Sequence, residues 1–371
     1  MLDPRISKLA KNLIGYSVAA KRGDRVLIEA TNVETPLVTE LVKEVYARGA
    51  YPYVSLYDNK VQRAILMGAD EAYLNKLTEY NKGRMEEMDC YLGIRGALNS
   101  YETSDVPPEK MELYSRLYAH PIHHERRVKK TRWVVLRYPN ESMSQLAGMS
   151  TEEFESYYFN VCNLDYSKMD RAMDALQALM NRTDRVRLTA RDTDLSFSIK
   201  GIGSKKCSGH MNIPDGEVYS APVKTSVNGV IRYNAPSIEN GTRFEDVRLV
   251  FRDGRIVEAT ANFTEKCNKI FDTDPGARYV GEFAIGVNPY ITRPMGDILF
   301  DEKISGSVHF TPGACYDDAY NGNESAVHWD LVLIQTPEYG GGQIWFDDVL
   351  IRDNGRFVIE ELFPLNPENL I

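Results

Sequence analysis

The feature that most constrains the fold of this chain is a change of periodicity near residue 185. Before that point short β-rich runs alternate with helical stretches; beyond it strand follows strand with only turn residues between. Residues 4–21 carry apolar side chains at helical spacing, and Gly23-Asp24 then leads into the run RVLIEA. Residues 35–48 are helical again and end on Gly49, where a left-handed residue commonly stops a helix. YPYVSLY, MDCYLGIRG and TRWVVLRYP are further strand candidates, each set apart by a helical segment. Such alternation calls for parallel strands joined by crossover helices, and it predicts an open parallel α/β sheet domain over residues 1–185. A longer helix over 151–181 carries the chain out of that domain.

From Arg185 onward, RVRLTARDTDLSFSIKG alternates about a turn at 192–194 and predicts a hairpin. FEDVRLVFRDGRIVEATA and GQIWFDDVLIRDNGRFV add strands, with RDG and RDNG as their turns. The expectation is an antiparallel β-rich domain over 186–371, so that the fold class is α/β followed by β-rich. A chain of 371 residues is long enough for each domain to bury its own core.

The net charge of −9 offers no basic footprint for nucleic acid or an anionic membrane. No apolar run is long enough to span a bilayer, and the first residues lack the apolar core of a signal peptide. The five cysteines (Cys90, Cys162, Cys207, Cys267, Cys315) are scattered and never in C-x-x-C spacing. They read as reduced thiols of a cytoplasmic protein.

Chemistry concentrates in the second domain. Glu217, Glu282, His309, His328 and Asp330 each lie in an apolar, strand-like setting, and burying an unpaired charge costs several kcal/mol. His328 and Asp330 are two apart in AVHWDLVLI, so on a strand they share a face opposite Trp329 and Leu331. Alone, that pair reads equally as a hydrogen-bonded couple on a solvated sheet face. Glu217 follows the turn tripeptide Pro214-Asp215-Gly216, a setting that is by itself usually surface. Glu282 is flanked by apolar residues and by Gly281 and Gly286, which permit close backbone approach. His309 lies on a small-residue strand seven positions before Tyr316.

Together the five form a coherent donor set. Three carboxylates and two imidazoles suit Zn, Co or Mn, and no thiolate set favours a structural zinc. Five ligands exceed what one catalytic metal with an open position needs, and they suit two divalent ions sharing a carboxylate. Other candidates are weaker. His120, His123 and His124 sit in a charged segment and read as a solvated helix end. The glycines at 340–342 lack the Lys-Ser/Thr of a phosphate loop and read as a mobile loop. Cys315 has no His/Asn pattern around it and reads as a buried thiol. G-x-S-x-G and H-E-x-x-H are both absent.

NIPDGEVYSAP, GEFAIGVNP, LFDEKISGSVHFTPGACY and NESAVHWD resemble the ordered motifs of the thermophilic-type metallo-aminopeptidases, the aminopeptidase T/S family. WVVLRYPNESMSQLAGMSTEEFESYYFNVCNLDY is similar to that family's inter-domain segment, so the resemblance spans nearly the whole chain. It implies metal ligation by Glu217, Glu282, His309, His328 and Asp330, catalytic roles for Glu282 and Tyr316, and an acidic position near the site at Glu302. It also implies a homodimer enclosing a cavity and peptide substrates with a free N-terminus. The chain is shorter than typical members, and the segment between Tyr316 and His328 is brief. Two other classes stay open. His309, His328 and Asp330 alone would make a two-His-one-carboxylate iron(II) triad of a ring-cleaving dioxygenase. A catalytically silent peptide- or metal-binding protein would need neither Glu282 nor Tyr316.

Overall fold

Four strands, Arg25–Thr31, Tyr51–Tyr57, Cys90–Arg95 and Arg132–Arg137, pair in parallel, with Arg25–Thr31 and Cys90–Arg95 at the centre. The structure, a computed structural model, describes residues 3–99 and 101–371. A short fifth strand, Asn212–Ile213, adds in parallel beside Arg132–Arg137. Cys90–Arg95 is buried at every position except Arg95, as a strand covered on both faces must be. Against it Leu27, Met85, Met88, Tyr91 and Ile122 form a core cluster. The first helix, Pro4–Asn12, is opened by the Asp3 carboxylate and continues as a π-helical turn, Leu13–Ser17. It stops short of residue 21 because the chain turns at Ala19, whose φ is 43°.

By their contacts the residues divide into two units, Met1–Asn163 with Gly209–Ile213 and Leu164–Ser208 with Pro214–Ile371. The stretch expected as one helix over 151–181 is two, Thr151–Cys162 and Tyr166–Arg182. Asp165 makes the break: its carboxylate accepts from the Lys168 amide at 3.0 Å and caps the second helix, which belongs to the second unit.

The second unit contains two large antiparallel sheets and a two-stranded hairpin, Ser237–Glu239 with Thr242–Phe244. One has eight strands, running from Arg255–Thr260 at one edge through Arg185–Ala190 to Arg356–Phe357 at the other. The other is ordered Val332–Ile334, Ser307–Pro312, Val280–Gly286, Glu217–Ser220, Lys205–Cys207. Phe197 of the first sheet meets Phe283 and Phe310 of the second, with ring centroids 5.0 and 4.9 Å apart. RDG and RDNG are hairpin turns as expected, with positive φ at Asp253, Gly254, Asn354 and Gly355. The first hairpin turns one step earlier than expected, on Arg191-Asp192, because Thr193 and Asp194 already pair with Ala190 and Thr189. Val280–Gly286 and Ser307–Pro312 are buried along their whole length, so any ionisable side chain on them must find its compensation inside.

Candidate metal centre

The five-stranded sheet supplies the site. Glu217 opens its strand after Gly216, whose φ of 135° and close fit against Asn288 exclude a side chain there. Glu282 lies beside a bulge at Gly281, where an added Cβ would sit 2.1 Å from the Ala314 carbonyl oxygen. His309 is the third residue of Ser307–Pro312. His328 and Asp330 do lie on one side of an extended segment, with Trp329 and Leu331 buried opposite. That segment is not a regular strand until Val332: it faces Pro312, which has no N–H to give, so the ladder thins to single bonds such as Trp329 N–H to the Pro312 carbonyl.

These positions bring all five candidates together. Glu217, Glu282 and His309 form one group of potential ligands, and Glu282, His328 and Asp330 form a second. Glu282 belongs to both: its Oε1 is 3.2 Å from His309 Nε2 and its Oε2 is 3.3 Å from His328 Nε2. Both imidazoles are aimed by backbone carbonyls. The Nδ1–H of His328 donates to the Ala314 carbonyl at 2.8 Å, and that of His309 to the Glu302 carbonyl at 3.3 Å, so each Nε2 points inward. Thr311 donates its hydroxyl to Asp330 at 2.7 Å. Glu217 Oε2 and His328 Nε2 are buried and complete no hydrogen bond, a deficit that a cation would remove. Among the described residues no such group contains both imidazoles.

Electrostatics match this crowding. Burial pushes the Glu217 carboxyl up, against the pull of Lys303 and His309. Burial also acts to raise Glu282 and Asp330, but the imidazoles facing them outweigh it and hold both below the usual carboxylate range. Burial would lower His328, yet Asp330 and Glu282 prevail and raise it to about 11. His309 is raised in the same way by Glu217 and Glu282. The Tyr316 ring lies tilted against His328 with centroids 4.9 Å apart; the residue is exposed as a whole, and desolvation of its hydroxyl beside Glu282 and Asp330 keeps that group protonated.

Sequence reasoning missed the centre's own cation. Lys303 is fully buried, with its ammonium 3.7 Å from Glu217 Oε1 and in contact with the Glu302 carboxylate. Burial disfavours that charge, but Glu217 and Asp215 outweigh it and keep Lys303 protonated. Glu302 therefore serves Lys303 and, through its carbonyl, His309. Asp215 and Cys207 form a third group with Glu217. Nothing in EKISG or KKC distinguishes these residues from surface ones.

The remaining candidates lie apart. His120 and His124 are exposed, while His123 packs on Tyr91 and Tyr118, and burial lowers it to about 4. Gly340 and Gly341 form a turn, and Gly342 already pairs with Ala190. Cys315 is half-buried and donates its thiol to the Asn323 carbonyl. No disulfide links the described cysteines, and no described helix is long and apolar enough to cross a membrane.

A parallel α/β sheet, antiparallel sheets and a buried carboxylate–imidazole cluster define a candidate metalloenzyme. The profile of the thermophilic metalloprotease (M29) family matches residues 2–356. The chain belongs to that family and is a metal-dependent peptide hydrolase. It is 24% identical to aminopeptidase PepS of Streptococcus thermophilus, over 88% of this chain and 91% of that protein. It is 25% identical to aminopeptidase T of Thermus aquaticus, over 88% and 92%. The structure is similar to wild-type AmpT from Thermus thermophilus, with a TM-score of 0.80 at 23% identity, covering 97% of this chain and 100% of that one. It also resembles a 2,5-dihydroxypyridine dioxygenase from Pseudomonas putida KT2440, with a TM-score of 0.62 at 13% identity over 96% and 98% of the chains. At such identities these likenesses speak to the fold alone.

Proposed function

We propose that this chain is an aminopeptidase that releases N-terminal residues from peptides with the aid of two divalent ions, Zn, Co or Mn. The single observation that carries the reading is Glu282, whose two oxygens face different imidazoles in two overlapping ligand groups. Glu217, His309 and Glu282 would hold one ion, and Glu282, His328 and Asp330 the other. The residues fit this load. Set against Lys303, the carboxylates of Asp215, Glu217, Glu282, Glu302 and Asp330 leave four negative charges once the imidazoles are neutral, which two divalent cations would balance. The names of PepS and aminopeptidase T agree with the activity. An iron triad of His309, His328 and Asp330 is not favoured, because the two imidazoles fall in separate groups joined through Glu282.

When bound, the ions supply Lewis acidity toward the scissile carbonyl and make water more acidic. Glu282 takes the proton of the attacking water and passes it to the leaving amine. Tyr316, kept protonated, donates its hydroxyl to the oxyanion that develops on the carbonyl. The Ala314 and Glu302 carbonyls hold the imidazoles in place throughout. A homodimer and a cytoplasmic location complete the proposal, and the free thiols suit a reducing compartment.

The test is hydrolysis of short peptides. Unblocked peptides should release free amino acids, a chelator should abolish the reaction, and Zn, Co or Mn should restore it. Equal cleavage of N-acetylated peptides would overturn the aminopeptidase reading. Oxygen uptake with an aromatic substrate, and no peptide hydrolysis, would favour a dioxygenase instead.

A further inference from the structure

A cavity of about 140 Å³ opens onto His328 and Asp330. Its other walls are residues 236–239, Gly296, Ile298 and Asp301, with Trp329 also in the lining. Pockets that take drug-sized ligands begin at roughly 300 Å³, so this one suits a single small group and not a length of chain. Its charged wall residues, other than the site's own His328 and Asp330, are both carboxylates, Asp301 and Glu239. Asp301 is already engaged, accepting from the Met295 and Gly296 amides at 2.5 and 3.0 Å. The half-buried Glu239 carboxylate has no hydrogen-bond or ion-pair partner among the described residues. A carboxylate left unpaired beside Asp330, in a wall without Lys or Arg, favours a cation.

We propose that this cavity is the subsite for the substrate's α-ammonium group, with Glu239 as its counter-ion. The inference rests on the aminopeptidase reading and assigns the residue that recognises the free N-terminus. Connectivity argues for the α-nitrogen over a basic side chain. In a peptide the first nitrogen is two bonds from the carbonyl carbon under attack, so its anchor must adjoin the reacting centre, as Glu239 adjoins His328 and Asp330. The amine of a Lys side chain lies several bonds further away. Glu239 also stands on a two-stranded hairpin, Ser237–Glu239 with Thr242–Phe244, turned tightly at Asn240-Gly241. That hairpin is tied to the site, since Trp329 Nε1–H donates to Ser237 Oγ at 2.9 Å. As a wall of the cavity it blocks a chain from running on past its first residue, which makes the cleavage exopeptidic.

The test is steady-state kinetics of Glu239→Gln and Glu239→Asp with alanyl, leucyl and lysyl p-nitroanilides, alongside metal content. Losing one charge-assisted hydrogen bond should raise KM about 10- to 100-fold for all three substrates, with kcat within about threefold. Glu239→Asp should recover part of the loss, and bound metal should stay at the wild-type amount. n-Butylamine should inhibit the wild type competitively and Glu239→Gln far more weakly. An unchanged KM would overturn the assignment, as would a rise confined to the lysyl substrate or a loss of metal. A wild-type protein that cleaves none of the three overturns the aminopeptidase reading itself, and the inference with it.

Discussion

Replacing Lys303 by Met should destabilise the metal-free protein strongly and the metal-loaded protein much less. Lys303 is the buried cation of a site crowded with carboxylates, and Met keeps its length without its charge. At the 3.7 Å separation from Glu217, Coulomb's law with an effective dielectric near 20 gives about 4 kcal/mol for that pair. Breaking a buried pair by removing one partner typically costs about 3–5 kcal/mol, because the orphaned charge stays behind. For a unit of this size that corresponds to a fall in Tm of about 6–20 °C. A divalent ion beside Glu217 supplies the missing positive charge, so the gap between variant and wild type should shrink when metal is saturating. By linkage, that shrinkage must equal a gain in metal affinity. Differential scanning calorimetry with chelator and with Zn or Mn, and a metal titration of both proteins, supply the two numbers. A fall below about 2 °C, or an equal fall with and without metal, would refute the electrostatic role.

Glu282→Gln keeps size and shape and should cut turnover about 100- to 10,000-fold while weakening metal binding, with the fold intact by circular dichroism. Asp192→Asn is its control. Asp192 sits in a hairpin turn with an exposed ion pair to Arg232, so activity should be near normal, and a similar loss in both variants would count against the role of Glu282. Metal binding near pH 7.5 should release at least one proton, because His328 is raised to about 11 in the metal-free protein and must be neutral to coordinate. Calorimetry in buffers of different ionisation enthalpy reads that number, and zero would contradict it. The same raised pKa gives stability that is full below about pH 6.5 and fades as pH rises through about 11, a slope that bound metal should remove. Light scattering at micromolar concentration should return a dimer mass; a monomer mass would contradict the proposed assembly.

The parts legible in the sequence are those that local physics dictates. Strand–helix alternation determines the parallel sheet around Arg25–Thr31, and RDG and RDNG impose their turns through backbone geometry alone. The i, i+2 spacing of His328 and Asp330 places them on one side even where the regular strand has lapsed, because an extended backbone suffices for alternation. The Asp165 cap that splits the long helix is equally local, since Asp in NLDYSK is a strong helix N-cap signal. Long-range pairing is different. The return of Asn212–Ile213 to the first sheet involves two residues, too few to carry a periodicity. Lys303, Asp215 and Glu239 look like surface charges in sequence, and only the strands brought around them make them part of a site.

Anomalous diffraction at the metal edge, from crystals of the protein reconstituted with Zn or Co, tests the central claim most directly. Two peaks per chain are predicted, one among Glu217, Glu282 and His309 and one among Glu282, His328 and Asp330, with Glu282 touching both. A single peak held by His309, His328 and Asp330 without Glu217, or no peak at this cluster at all, would contradict the two-metal account.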